Sequence, residues 1–403
     1  MPSTSTLSAR SRALLALLTL AVFVLTAWAV YALFTSRAPI VVWDFHPPWL
    51  GLQTMLREGL NPYDETVTAE IQGQMLGYAV PAGEDQYAFV YPLHVMVFVG
   101  PLALLPLPVA QAVWLTLLEA SLFLLVLIGA RAVGWRPPVG LLALTILFAA
   151  GLYQNVWALI LGQSSILVAA LVACAWWGVR SERWRLVGVC LALATIKPQV
   201  SFLIVPVFLL WAIYRRRWAP VMAFAFALGL LFLLPMMWVP GWPADWLAAL
   251  GRYAGYTFFD PPLVVLLRST WLAIAVAGLL LAWTVWRWHR AGGRDDASLD
   301  WALAMVVVVG TLIAPRTTHA NQAVLLLPLF VVFRRISRNG IAALIEMGLL
   351  VGLWLLDAAT APAINTPGHR VWQHAVIAPI LPFGLATMLL ALTPRTTRNT
   401  SHA

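Results

Sequence analysis

Long apolar runs, interrupted only by short charged clusters, are the feature that most limits how this chain can fold. Of its 403 residues, 62% are hydrophobic and only 10% are charged. A soluble domain with this balance would have a largely apolar surface. Many of the runs are long enough to cross a hydrocarbon core of roughly 30 Å as helices, and they lack the alternation of a membrane barrel. We therefore predict an all-α polytopic membrane protein.

The first apolar run, residues 13–34, follows two arginines. Its length of about 22 residues exceeds the usual apolar region of a cleavable signal peptide. An uncleaved first span is therefore the favoured interpretation, and a signal peptide is the alternative. The two cysteines, Cys174 and Cys190, lie inside later runs and are interpreted as packing residues.

The arginine clusters between the runs predict the topology. Basic residues collect in cytoplasmic loops, so the net charge of +9 is interpreted as a set of topology signals rather than as a nucleic-acid surface. Placing every cluster inside gives about twelve spans with both termini cytoplasmic. The predicted spans are 13–34, 109–130, 139–153, 163–179, 186–197, 199–214, 218–239, 263–286, 299–314, 320–333, 340–357 and 374–393.

Two segments are predicted to lie on the outer side. The first, residues 35–90, contains two stretches with helical character, Leu50–Arg57 and Glu65–Leu76. The apolar residues that follow, 89–105, are broken by Pro92 and Pro101 and end next to Pro106, which predicts a re-entrant or interfacial segment. The second outer segment, 239–262, is rich in tryptophan and tyrosine and is expected to rest among the lipid headgroups.

Asp44 is the candidate catalytic group, because it opens the only long polar segment, just after the first apolar run. A carboxylate at this surface is ionised and can accept a proton from an attacking hydroxyl group. From position alone, a solvated loop charge or a helix cap explains it equally well.

Lys197 is the only lysine of the chain, and it has apolar sequence on both sides. A cation near membrane depth costs about 2.5 to 3.5 kcal/mol, so it normally faces a cavity or an anionic partner. Pro198 places the lysine at a helix break. Phosphate is a natural ligand for such a cation, and snorkelling to the headgroups is the alternative.

Other polar positions interrupt the apolar runs. Gln163 opens the fourth predicted span and can hydrogen-bond a sugar hydroxyl or satisfy a helix start. Arg316 can hold phosphate, and His319 can bind it or donate a proton to it. The alternative is that both are solvated polar side chains of a turn. Glu119 and Glu346 lie in mid-span and are interpreted as interhelix hydrogen-bonding groups rather than as a proton relay.

Several motifs follow one another in a fixed order along the chain. They are Asp44 followed by Gly59-Leu60-Asn61-Pro62-Tyr63, Phe89-Val90-Tyr91-Pro92 leading to the 101–106 segment, Gly162-Gln163, a Gly188 span ending in Lys197, and Tyr214-Arg215-Arg216-Arg217-Trp218. Together they resemble glycosyltransferase family 87, a bacterial family with the GT-C fold. The resemblance covers residues 44–333, and it implies a single GT-C domain over 1–403. The chain departs from the family at 46–49, where a tyrosine-rich stretch is usual, and at Ala314-Pro315, where Ser-Pro is common.

The family includes polyprenol-phosphate-mannose-dependent α-1,2-mannosyltransferases. The resemblance implies inverting transfer of a hexose, with mannose favoured, from a polyprenyl-phosphate sugar to a lipid or glycan acceptor. The reaction would take place at the extracytoplasmic face of a bacterial plasma membrane. Asp44 takes the position of the catalytic base, and Lys197 and His319 take donor-phosphate positions, to which we add Arg316. The expected substrate-binding residues are Gln163, Tyr63, Tyr91 and Asn321.

No metal or other cofactor is expected, because no ligand spacing is visible and cations can stabilise a phosphate leaving group. The main alternative function is a transporter or flippase for a lipid-linked or small polar substrate. That class predicts inverted repeats and broken helices at the midplane, whereas the polar residues here collect toward the outer side. An inactive scaffold of the same fold is a third interpretation, and the presence of both Asp44 and Lys197 argues against it.

Overall fold

The computed structural model describes residues 42–257, 260–290, 296–360 and 369–393, and the predicted first span lies outside these ranges. Within them the chain forms α-helices and short 3-10 helices and no β-strand. The fold is therefore all-α, as a lipid environment requires of continuous apolar runs. The α-helices are α1 (His46–Glu58), α2 (Glu65–Leu76), α3 (Met96–Ala103), α4 (Leu107–Ala132), α5 (Val139–Gly151), α6 (Tyr153–Leu161), α7 (Ser165–Arg180), α8 (Trp184–Ala194), α9 (Pro198–Ser201), α10 (Ile204–Tyr214), α11 (Trp218–Leu233), α12 (Trp242–Tyr256), α13 (Pro262–Leu267), α14 (Thr270–Arg290), α15 (Asp296–Ile313), α16 (Leu326–Ile336), α17 (Asn339–Thr360) and α18 (His369–Ala391).

Four helices of the described part are long and apolar enough to cross a membrane, or five if the bent pair of α5 and α6 counts as one span. The four are Leu107–Ala132, Trp218–Met237, Thr270–Arg290 and Asn339–Ala359. Shorter apolar helices of 10–17 residues accompany them. These helices fit a polytopic membrane protein. The number of about twelve spans stays a prediction, because several predicted runs form short or broken helices.

The segment that follows Asp44, which the sequence predicts to lie on the outer side, folds as two short helices. α1 and α2 include both stretches that the sequence predicts to be helical. A left-handed Gly59 ends α1, in the usual manner of a helix C-terminus. Residues 89–105 then form a 3-10 turn and the eight-residue α3, which contains Pro101.

The predicted span 139–153 contains a break. α5 ends at Gly151, and α6 continues at an angle of 53° to it. Such a bend removes helical hydrogen bonds from the carbonyl groups on its open side. The Nδ2 atom of Asn155 donates to the Ala149 carbonyl, and the Nε1 atom of Trp354 donates to the Gly151 carbonyl, both at 2.8 Å. Side chains therefore satisfy the bent backbone without water.

Polar contacts attach α17 to this bent pair on both sides of the break. The hydroxyl of Thr145 donates to the fully buried Glu346 at 2.7 Å, and the hydroxyl of Tyr153 donates to Asp357 at 2.8 Å. The first of these is an interhelix hydrogen bond, as predicted for Glu346.

A buried carboxylate joins α7, α15 and α16 at the end of α7 that lies farthest from Gln163. The Asp300 carboxylate accepts a hydrogen bond from the Trp176 indole at 2.8 Å. It also accepts hydrogen bonds from Arg180 and Arg334, both at 2.6 Å. The two cations compensate for the burial of the negative charge. Arg180 and Arg334, which belong to two of the predicted basic clusters, therefore lie at the same end of the helix bundle.

Gly188 lies where α8 and α11 come closest. A β-carbon at this position would lie 2.2 Å from the carbonyl oxygen of Pro220 and 2.6 Å from the backbone nitrogen of Phe224. Small residues allow the backbones of membrane helices to approach in this way. Because α8 leads directly to Lys197, this contact fixes the helix that carries the lysine into the protein.

We predict that Gly188→Ala destabilises the protein by about 1 to 3 kcal/mol, because the added methyl group must push α11 away. Gly229→Ala is the matched control, since Gly229 lies in α11 and a β-carbon there would have no heavy atom within 4 Å. That substitution should be neutral or stabilising by up to about 1 kcal/mol. Thermal unfolding in detergent measures both, and equal unfolding temperatures for the two variants would contradict the packing argument.

Candidate active site

The backbone around Asp44 is fixed by contacts with the end of α6. The amide of Asp44 donates to the Leu161 carbonyl at 2.9 Å. The neighbouring Phe45 is 1% exposed and stacks on Trp114 with ring centroids 5.3 Å apart. α1 begins at the next residue, His46, with prolines in its first turn. Proline is well tolerated there, because the first helical amides have no acceptor within the helix.

Gly162 allows the two segments to meet. Its backbone is left-handed, with a φ of 70°, and a β-carbon would lie 2.2 Å from the Cγ1 atom of Val42. The carbonyl of Gly162 accepts a hydrogen bond from the Trp114 indole at 2.8 Å. The turn directs the next side chain toward the aspartate, and the Nε2 atom of Gln163 donates to the Asp44 carboxylate. The motif Gly162-Gln163 therefore serves to place an amide against Asp44.

Lys197 lies in the break between α8 and α9 and is only 3% exposed. Thr195, two residues before Lys197, connects this break to the 3-10 turn at residues 93–95, because its hydroxyl lies 3.1 Å from the Nε2 atom of His94. A buried ammonium group needs a negative partner nearby. The charge of Lys197 acts on Asp44, where it favours the ionised carboxylate.

The electrostatics of Asp44 combine opposing effects. Burial raises the pKa of Asp44, and the charge of Lys197 opposes this shift. The carboxylate of Asp85 also raises the pKa, the hydrogen bond from Gln163 lowers it, and together these effects give a pKa of about 6. The result is a partly exposed carboxylate that changes charge close to neutral pH. A general base is most effective with a pKa in that range.

Tyrosines of the outer segment surround the backbone of Asp44. The hydroxyl of Tyr91 donates to the Asp44 carbonyl at 3.3 Å. The hydroxyl of Tyr63, which is 5% exposed, donates to the Tyr91 carbonyl at 2.7 Å. Both tyrosines therefore lie next to the candidate base, with Tyr91 in direct contact and Tyr63 behind it.

The residues predicted to bind phosphate lie in different parts of the structure. Arg316 reaches to α12, where it donates to the Thr257 carbonyl and, at 2.8 Å, to the Ala254 carbonyl. His319 packs against the rings of Tyr153 and Trp157, with centroids 5.2 and 6.1 Å away. Asn321 is 6% exposed in the same short turn. The structure thus joins Gln163, Tyr91 and Lys197 to Asp44 and places His319 at the opposite end of α6.

Two residues near Asp44 were not singled out from the sequence. Asp85 is exposed, and its carboxylate acts electrostatically on Asp44. Tyr253 on α12 lies within electrostatic range of Asp44, Asp85 and Arg316. In the sequence, Asp85 is only one of many outer acids, and Tyr253 is one of many aromatics. Composition offers no signal that selects them, because loops far apart in sequence bring them together.

The matched family defines the class of this protein. A model of glycosyltransferase family 87 matches residues 89–315, which is more than half of the chain. With the apolar helices, this match defines a multi-pass membrane glycosyltransferase. The chain belongs to glycosyltransferase family 87. No curated protein and no solved structure shows a significant match. The matched region contains Tyr91, Gln163 and Lys197, whereas Asp44 and Arg316 lie outside it.

We predict that Gly162→Ala strongly reduces glycosyl transfer, because its methyl group would displace Val42 and the turn that carries Asp44. Gly77→Ala is the matched control. Gly77 is also left-handed, with a φ of 78°, but a β-carbon there would meet no atom within 4 Å. Both variants carry a backbone strain of about 1 kcal/mol. Transfer assays on equal amounts of folded protein should separate them, and similar activities would argue against the close contact.

Proposed function

We propose that this glycosyltransferase transfers a hexose, with mannose favoured, from a polyprenyl-phosphate donor to a lipid or glycan acceptor. The reaction inverts the anomeric centre and takes place at the extracytoplasmic face of a bacterial plasma membrane. One observation carries the proposal: a carboxylate with a pKa near neutrality lies against Gln163, under the influence of the buried Lys197. A base and a cation in one recess suit a sugar that leaves from phosphate.

Asp44 acts as the base in this proposal. The acceptor hydroxyl attacks the anomeric carbon while Asp44 removes its proton. The bond between the anomeric carbon and the phosphate oxygen breaks, and its electron pair leaves with the polyprenyl phosphate. A single displacement of this kind inverts the stereochemistry and needs one base. Gln163 orients the carboxylate through its amide, and Tyr91 holds the backbone that carries it.

Cations stabilise the charge that develops on the leaving phosphate. Lys197 is the principal group in our proposal, because it already acts electrostatically on Asp44 from a buried position. Arg316 completes the proposed phosphate set near Asp44, whereas His319, at the opposite end of α6, is proposed to contact the donor away from the base. A guanidinium group has five donors, so Arg316 can keep its two carbonyl contacts and still bind an oxygen atom. The proposed mechanism requires no metal ion.

Buried amide oxygens provide proposed contacts for the sugar. In the described part of the chain, the Oε1 atom of Gln163 and the Oδ1 atom of Asn321 are buried without a hydrogen-bond partner. Such atoms normally accept a hydrogen bond, and sugar hydroxyl groups are suitable donors. Tyr63 and Tyr91 complete the proposed substrate-binding set, with Tyr63 acting from behind Tyr91.

We expect Asp44→Asn to reduce transfer by roughly 10²-fold or more, since an amide cannot accept the proton. Membranes containing the protein would be supplied with labelled polyprenyl-phosphate mannose, and the product would be identified by mass spectrometry. Asp64→Asn is the control, because it removes an exposed carboxylate from the same outer segment. Near-normal transfer by Asp44→Asn would refute the assignment of the base. Uptake of label into vesicles without product would instead favour a transporter.

The pH dependence follows from the raised pKa of Asp44. At a pH below its pKa of about 6, the carboxylate of Asp44 is mostly protonated and cannot act as a base. The value of kcat/KM should therefore fall about tenfold per pH unit on the acid side of that pKa and level off above it. Initial rates measured in detergent at several pH values check this. A profile that stays flat down to a pH near 4, the ordinary range of aspartate, would contradict the assignment.

A further inference from the structure

The turn after α1 is bonded to the second outer segment. The Nδ2 atom of Asn61 donates to the Oδ2 atom of Asp245 at 2.8 Å, although the two residues are 184 positions apart. The Oδ1 atom of Asn61 accepts from the backbone amide of Tyr63 at 3.2 Å. The side chain of Asn61 therefore uses both ends of its amide, one to shape its own turn and one to hold the first turn of α12.

Further contacts fix α12 along its length. The indole of Trp246 donates to the Val90 carbonyl at 3.1 Å, and Arg252 donates to the Tyr63 carbonyl at 3.0 Å. Arg316 binds the carbonyl groups at the C-terminal end of the helix, where a cation is favoured. On its inner side, Trp242 is 1% exposed. α12 thus lies across the first outer segment, in a position that side chains from both segments define.

The same turn connects to the candidate base. Tyr63, two residues after Asn61, donates through its hydroxyl to the Tyr91 carbonyl at 2.7 Å. Tyr91 donates in turn to the Asp44 carbonyl at 3.3 Å. A short series of hydrogen bonds therefore runs from α12 to the backbone of Asp44. From the other side, α12 carries Tyr253 into the electrostatic surroundings of the same carboxylate.

We propose that Asn61 and Asp245 are positioning residues, which set the place of α12 relative to Asp44 for the transfer reaction. The inference rests on the proposed function, because it assigns the base to Asp44. Neither residue touches substrate. They hold the wall that carries Tyr253 and the Tyr63–Tyr91 pair that supports the base. Misplacing catalytic groups by about 1 Å can cost on the order of 10²-fold in rate.

A role in positioning differs from a role in stability. Both side chains are half-exposed, so their hydrogen bond contributes little to the free energy of unfolding. The turnover number should therefore change while the unfolding temperature stays the same. The pair also allows an exchange of partners. With aspartate at 61 and asparagine at 245, one carboxylate oxygen can still accept from the Tyr63 amide while the other accepts from the new amide.

The decisive experiment compares Asn61→Asp with the double variant Asn61→Asp/Asp245→Asn. The single variant places two carboxylates against each other, and we expect kcat to fall about tenfold. The double variant should recover to within about threefold of the wild type. Asp64→Asn, an exposed acid in the same segment, is the control that should leave activity unchanged. Full activity of Asn61→Asp, or loss without recovery in the double variant, would overturn the proposal.

A second measurement tests the contact without using catalysis. Arg252 is exposed on α12, so trypsin cleavage after it reports how often this helix detaches. Cleavage of the purified full-length protein should be faster in Asn61→Asp and return to the wild-type rate in the double variant. Unchanged cleavage in Asn61→Asp would refute the positioning role. If the wild type transfers no sugar while the cleavage pattern still changes, the proposed function fails and the contact stands.

Discussion

The approach of Gly162 to Val42 is the contact on which the candidate site depends. A side chain at position 162 would occupy the space of Val42 itself. The same close approach brings the amide of Asp44 to the Leu161 carbonyl and Gln163 to the carboxylate. The base and its amide partner are 119 residues apart in sequence. One glycine therefore decides whether two distant segments form a single site.

A balance of charges explains the electrostatics of this site. Burial favours the neutral form of Asp44, and a buried lysine likewise tends to lose its proton. Together they favour each other's charged form, while Asp85 limits how far the aspartate is stabilised as an anion. The carboxylate consequently stays weakly basic and ready to accept a proton. In the proposed mechanism this positive charge binds the phosphate group of the donor, for which an ammonium ion is a suitable partner.

The sequence alone predicted the features that depend on a single residue or on one continuous run of residues. Apolar runs predicted the helices, and Asp44 and Lys197 were recognised because each interrupts an apolar pattern. The sequence ended a short span at residue 153, close to the break after Gly151, but the angle of the bend depends on Asn155 and Trp354, which no local pattern identifies. The sequence brought Pro47 and Pro48 to attention only as a departure from the family, and the structure shows them as ordinary residues of a helix start. Asp85 and Tyr253 depend on loop packing, which composition does not encode.

The bend between α5 and α6 has a consequence for how the enzyme can move. Straightening it would release two carbonyl groups from the side chains of Asn155 and Trp354. In surroundings without water, each released acceptor costs several kcal/mol. These two hydrogen bonds therefore hold the bend at a fixed angle, and the bend does not act as a hinge. The separation between the two ends of α6, one beside His319 and one beside Asp44, is set when the chain folds.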